Sequence, residues 1–222
     1  MRLRGPLTTA LALTLAGLTA SPSLAATTGL PIAKPLAWTD IAGDANGVNS
    51  QNGLLDGVPD TATPASIKSD DITGVSFART DDGKIVTGLQ VTMTLSAAPA
   101  AGALYRITGA ATGCTTFWFQ YTWTAGGSPV ATLRHNCGVP VTTTGAVGGS
   151  TVTVPVPAAV VGNSIVWTLK LTDLPSGLVV GSVLSPNLAE VRAVVGAAGV
   201  SLITAPTIDQ TEAQTKTYTI GQ

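Results

Sequence analysis

The chain has 222 residues, 45% of them hydrophobic, with only 10% charged, 5% aromatic, and 25 Gly and 14 Pro. So many aliphatics with so few charges exclude intrinsic disorder, and the scarcity of Glu, Lys and Arg argues against a coiled coil or helical bundle. A net charge of -1 without a run of Lys or Arg disfavours nucleic acid as a partner, because neutralising phosphates takes several cations together.

The first 25 residues have the layout of a secretory signal. Arg2 and Arg4 precede an apolar stretch from Leu7 to Ala20, Pro22 breaks it, and Ser23-Leu24-Ala25 offers small residues for cleavage after Ala25. The apolar stretch is too short to span a bilayer. Cleavage there leaves 197 residues carrying nine Lys and Arg against twelve Asp and Glu, a charge of -3. No later segment is apolar enough to cross a membrane, since Ser185-Pro186-Asn187, Glu190 and Arg192 interrupt the best stretch. The expectation is a secreted protein, released or wall-associated, with residues 26–222 forming a single domain.

Eight of the ten Asp fall between positions 40 and 82, and no acidic residue occurs from 83 to 172. Asp40, Asp44, Asn46 and Asn49, with Gly43 and Gly47 between them, form an oxygen-rich loop. Asp70 and Asp71 offer a second arm just before a predicted strand. Calcium takes six to eight such oxygens, and glycines let a loop wrap tightly. Asp40, Asp44, Asn46, Asp70 and Asp71 are therefore candidate calcium ligands. The alternative is a solvated loop of Asx-turns, and the bidentate Glu that closes an EF-hand is missing. Zinc is disfavoured by a single His. Trp38, beside the loop, reads as a plug beneath it or as a ligand contact.

Strands follow at short intervals. Residues 72–78 form a weak candidate, and 89–96 alternate strictly, apolar at odd and polar at even positions. After 104–108 comes an aromatic strand, 117–123, with Phe117, Phe119, Tyr121 and Trp123 on one face and Trp118 with Gln120 on the other. The odd set reads as core; Trp118 is a candidate stacking surface for a sugar, or core itself. Residues 125–129 supply turn chemistry and 130–135 return. In a straight hairpin Cys114 faces Cys137, so a disulfide is expected. That register also sets Trp118 opposite Leu133. Residues 151–156 alternate with Pro155 marking an edge or end, 165–172 alternate again, and 189–195 and 200–204 are further candidates. Many short strands with Gly and Pro turns indicate an all-β antiparallel sandwich, jelly-roll or immunoglobulin-like.

Catalytic signatures are weak. His135 is the lone histidine, there is no G-x-S-x-G, and acid–base chemistry near neutral pH has little to work with. The protein is expected not to be an enzyme.

Trp38-x-Asp40-x-x-Gly43-Asp44, Asp70-Asp71-Ile72 opening a strand, Pro99, Tyr105, Asp209 and Tyr218-x-Ile220-Gly221 form a layout. It resembles a group of actinobacterial secreted proteins whose domains are similar to DOMON-like and family 9 carbohydrate-binding modules. The resemblance implies a β-sandwich, structural calcium near the Asp loops, and binding of sugar or haem in some members. Haem would need axial ligands, for which Met93 and His135 are the candidates. It is the minor alternative, because Met93 also fits a core alternation. The expected function is a calcium-stabilised, non-catalytic module that binds a polysaccharide or cell-wall component. The competing expectation is a structural or adhesion protein with no small ligand.

Overall fold

The computed structural model describes residues 30, 32–40, 69–138, 151–193 and 207–222. Within them lie twelve strands: β1 Leu36–Thr39, β2 Ile72–Asp81, β3 Val86–Leu95, β4 Ala103–Ala111, β5 Phe117–Trp123, β6 Val130–His135, β7 Val152–Pro155, β8 Ala158–Val161, β9 Ser164–Lys170, β10 Val183–Ala193, β11 Thr207–Gln210 and β12 Tyr218–Thr219. Every pairing is antiparallel. One sheet runs β1-β2-β3-β9-β8. The other runs β11-β10-β4-β5-β6-β7, with β12 also on β10. This is the expected antiparallel β-sandwich.

Period-two alternation explains the core. Leu89, Val91, Met93 and Leu95 of β3 and Ile165, Trp167 and Leu169 of β9 point inward from the first sheet. Tyr105 and Ile107 of β4, Phe117, Phe119 and Tyr121 of β5 and Ala189 and Val191 of β10 point inward from the second. Each large apolar side chain taken from water contributes roughly 1.5–3 kcal/mol. Aromatic edges lock the two layers: Phe77 meets Phe119 at 6.2 Å between centroids, and Trp167 meets Phe119 at 6.1 Å and Tyr121 at 6.5 Å. Trp167 also donates from Nε1 to the Gln120 carbonyl at 3.2 Å, so its one polar atom is satisfied across the sandwich.

The strands at 72–81, 86–95, 117–123, 130–135 and 164–170 match the alternation in the sequence. The expected strand at 151–156 is β7, Val152–Pro155, after which the Val156 N–H still donates to the Ala131 carbonyl of β6 at 3.1 Å. Residues 156 and 157 then cross to the other sheet, where β8 pairs with β9. β1, β8, β11 and β12 carry no run long enough to show periodicity. The expected strand at 200–204 lies outside the described residues, and β10 begins at Val183 rather than 189.

Candidate functional site

The register of the β5–β6 hairpin decides what the second sheet presents on its outer face. Phe119 pairs with Leu133, Trp118 with Arg134 and Phe117 with His135. The straight register through Cys114 and Cys137 is therefore displaced by one residue, and Trp118 opposes Arg134 rather than Leu133. The cause is burial. Phe119 and Leu133 are both fully buried and must share the inner face, whereas the straight register would set Phe119 against Thr132. The disulfide forms nonetheless. Cys114 stands outside the ladder in a tight turn closed on Ala111, with Cα atoms 4.5 Å from those of Cys137.

Trp118, half-buried on that outer face, carries two cations. The guanidinium carbon of Arg106 lies 4.9 Å from the indole centroid and that of Arg134 lies 5.2 Å from it. They reach it from β4 and β6, the strands on either side of β5. Each such contact is worth about 0.5–2 kcal/mol. Arg106 also engages Glu190 Oε1 through Nε and Nη2, while Arg192 Nε donates to Glu190 Oε2 at 2.8 Å. Glu190 and Arg106 are both buried, with side chains 3% and 8% exposed. Burial pulls the Arg106 guanidinium below its ordinary pKa, and the Glu190 carboxylate opposes that shift. An arginine stays charged regardless.

Beside this triad opens a groove of about 520 Å3, lined by Trp118, Arg106, Arg192, Asn187 and Gln210 among others. A register shift between Pro186 and Leu188 interrupts the β4–β10 ladder, and Asn187, at that irregularity, is exposed along the groove. The two strands approach closely there: a Cβ on Gly109 would sit 2.6 Å from the Ser185 carbonyl oxygen. Only glycine fits.

The acidic residues gather at the start of β2. Asp209 Oδ2 accepts the buried Ile72 N–H at 2.6 Å, and its Oδ1 accepts Gln210 N–H at 2.8 Å. Asp71 Oδ2 accepts the Ser96 hydroxyl. Asp70 Oδ1 accepts Tyr105 Oη–H at 3.1 Å, and Tyr105 Oη in turn accepts Ala100 N–H at 2.9 Å. Burial raises the Asp70 pKa and, together with the Asp70 carboxylate, raises that of Tyr105. The Asp40 amide donates to the Thr73 carbonyl at 3.1 Å.

Of the candidate calcium ligands, Asp40, Asp70 and Asp71 thus flank the start of β2, and Asp44 and Asn46 lie outside the described residues. Among the described residues no three of His, Cys, Asp and Glu are placed to hold a metal ion. Trp38 is a core residue, 6% exposed and stacked on Phe77 at 6.1 Å, and does not line the groove; the loop it was expected to underlie lies, beyond Asp40, outside the described residues. Met93 is buried in the first sheet, and His135 Nδ1 accepts the Cys137 amide at 3.3 Å. Sequence reading found Trp118 but missed Arg106, Arg134, Glu190 and Arg192. Their only early signal was an outward position on alternating strands. No family model, no curated protein and no solved structure matches the chain.

Proposed function

We propose that the protein is a secreted, non-catalytic β-sandwich module that binds a glycan or cell-wall component at the groove beside Trp118. The observation that carries this reading is the groove itself. It joins a half-buried indole, an apolar surface of the kind that packs against sugar C–H groups, to the hydroxyl- and amide-bearing side chains of Thr108, Ser185, Asn187 and Gln210. The cysteine bridge and the leader-like first 25 residues support an oxidising, extracellular setting. No helix among the described residues is long and apolar enough to cross a membrane. The test is co-sedimentation with insoluble polysaccharides and purified cell walls. Retention that Trp118→Ala abolishes supports the reading, and no retention on any of them sinks it.

A structural or adhesive role without a small ligand is the second reading. It draws support from the exposed Val152, Val160 and Val161 on the sheet-edge strands β7 and β8. Calcium stabilisation belongs to the same proposal. The ligands would come from Asp40, Asp44, Asn46, Asp70 and Asp71, of which Asp71 Oδ2 already accepts the Ser96 hydroxyl. A midpoint of thermal unfolding that rises with calcium and falls with EDTA would establish it, and an unchanged midpoint would remove it.

A further inference from the structure

Of the four arginines beyond residue 4, three meet on one face of one sheet, although they come from β4, β6 and β10. Arg106 and Arg134 share the Trp118 ring, and Arg106 and Arg192 share Glu190. Glu190 is the one carboxylate among the described residues lining the groove, and both its oxygens are engaged. Arg134 has no carboxylate partner among the described residues. It stands beside the groove, across the Trp118 ring; its Nε donates to Thr151 Oγ1 at 3.2 Å, and its terminal nitrogens, which suit a planar two-oxygen acceptor, make no hydrogen bond among the described residues. Positive charge is thus concentrated here in a chain whose formal charge is -1. A guanidinium stacked on an indole has its rotamer fixed before a ligand arrives, so less entropy is lost on binding.

Resting on the glycan reading above, we propose that the ligand is an acidic polysaccharide whose sugars carry carboxylates. A carboxylate is taken in two parallel hydrogen bonds by the terminal nitrogens of Arg134. One sugar packs beside Trp118, and further sugars along the chain present their hydroxyls to Asn187 and Gln210 in the groove. Two N–H···O bonds between ions of opposite charge give geometric selection as well as affinity.

The experiment is calorimetric titration of the full chain, without added calcium, with soluble oligogalacturonate, its methyl ester and polyglutamate. Co-sedimentation with neutral polysaccharides runs beside it. The ester keeps the sugar and removes the charge. The expected result is binding of the acid, with the ester weaker by about tenfold or more, and a similar loss for the acid with Arg134→Gln. If that variant does not fold, the acid-against-ester comparison on the unaltered protein still decides. Equal binding of acid and ester overturns this inference and keeps the glycan reading. Retention on neutral polysaccharides with no binding of the acid does the same. Polyglutamate binding as tight as the acid shows that the groove reads charge alone and overturns both, as does no binding to any of them.

Discussion

The acidic end of the sandwich and its arginine face make opposite use of charge. Around the start of β2, Asp209 and Asp71 spend their oxygens on a backbone N–H and a hydroxyl, and Asp70 spends one on Tyr105. Those bonds close the end of the fold. On the outer face of the second sheet, Arg106 and Arg192 share one carboxylate, and Arg106 and Arg134 share one indole. There Arg134 has no carboxylate partner among the described residues. The difference teaches that a dense run of like charge in a sequence does not by itself mark a site. What marks one is donors or acceptors in excess of what the fold consumes.

The largest test of that contrast is Glu190→Gln. It leaves Arg106 buried without a counter-charge and should cost about 3 kcal/mol, read from the urea midpoint at constant slope. Replacing Arg106 and Glu190 together by Met and Leu should recover much of that loss, because an apolar pair has no unpaired charge to bury. A cost near zero for Glu190→Gln would mean that the triad behaves as an exposed network.

Replacing Cys114 and Cys137 together by Ser should cost up to about 3 kcal/mol, since the bridge spans a separation of 23 residues. The bridge pins the hairpin that carries Trp118 and Arg134. Glycan retention measured well below the midpoint should survive, because the register is set by Phe119 and Leu133 rather than by the sulfurs.

At the acidic end, Asp209→Ala should cost about 2 kcal/mol by orphaning the buried Ile72 N–H, and Asp209→Asn should cost less by keeping an acceptor. Retention on polysaccharide should be unaffected by either. A loss of retention without a loss of stability would move the site to this end of the molecule.

The smallest effect has the opposite sign. Burial raises the Asp70 pKa above its unfolded value, so the stability linked to that group is fully present below the unfolded pKa and is lost as pH rises through the folded one. Asp70→Asn should therefore be slightly more stable than the parent at neutral pH in EDTA, with the gap closing on acidification. If calcium binds through Asp70, the same variant in calcium should be the less stable one. Thermal midpoints across pH in both buffers separate the two cases.

The sandwich was legible because one buried face imposes alternation, and β3, β5 and β9 are long enough to display it. The core role of Phe117, Phe119 and Tyr121 followed from the same rule, as did the outward direction of Trp118. The short strands β1, β8, β11 and β12 were not legible, because two to four residues carry no period. The disulfide partners were the only two cysteines, but their pairing misled the hairpin register by one residue, since Cys114 leaves the ladder before the bridge forms. The acidic run drew attention as a metal loop. Of its described members, Asp70 accepts from Tyr105 and Asp71 from Ser96, residues distant in the chain, while Asp81 and Asp82 accept the N–H groups of Gly83, Lys84 and Ile85 in the turn after β2.

By itself, then, the sequence determined an all-β chain with a disulfide, a core of alternating apolar positions and one aromatic strand, because these depend on local period and residue type. The tertiary structure decided which partner Trp118 faces, that Arg106, Glu190 and Arg192 share one groove, and that Arg134 reaches the Trp118 ring beside it. Convergence of side chains from four strands depends on sheet order and on register. Register is fixed by which face is buried, and that is settled only when the second sheet packs against the first.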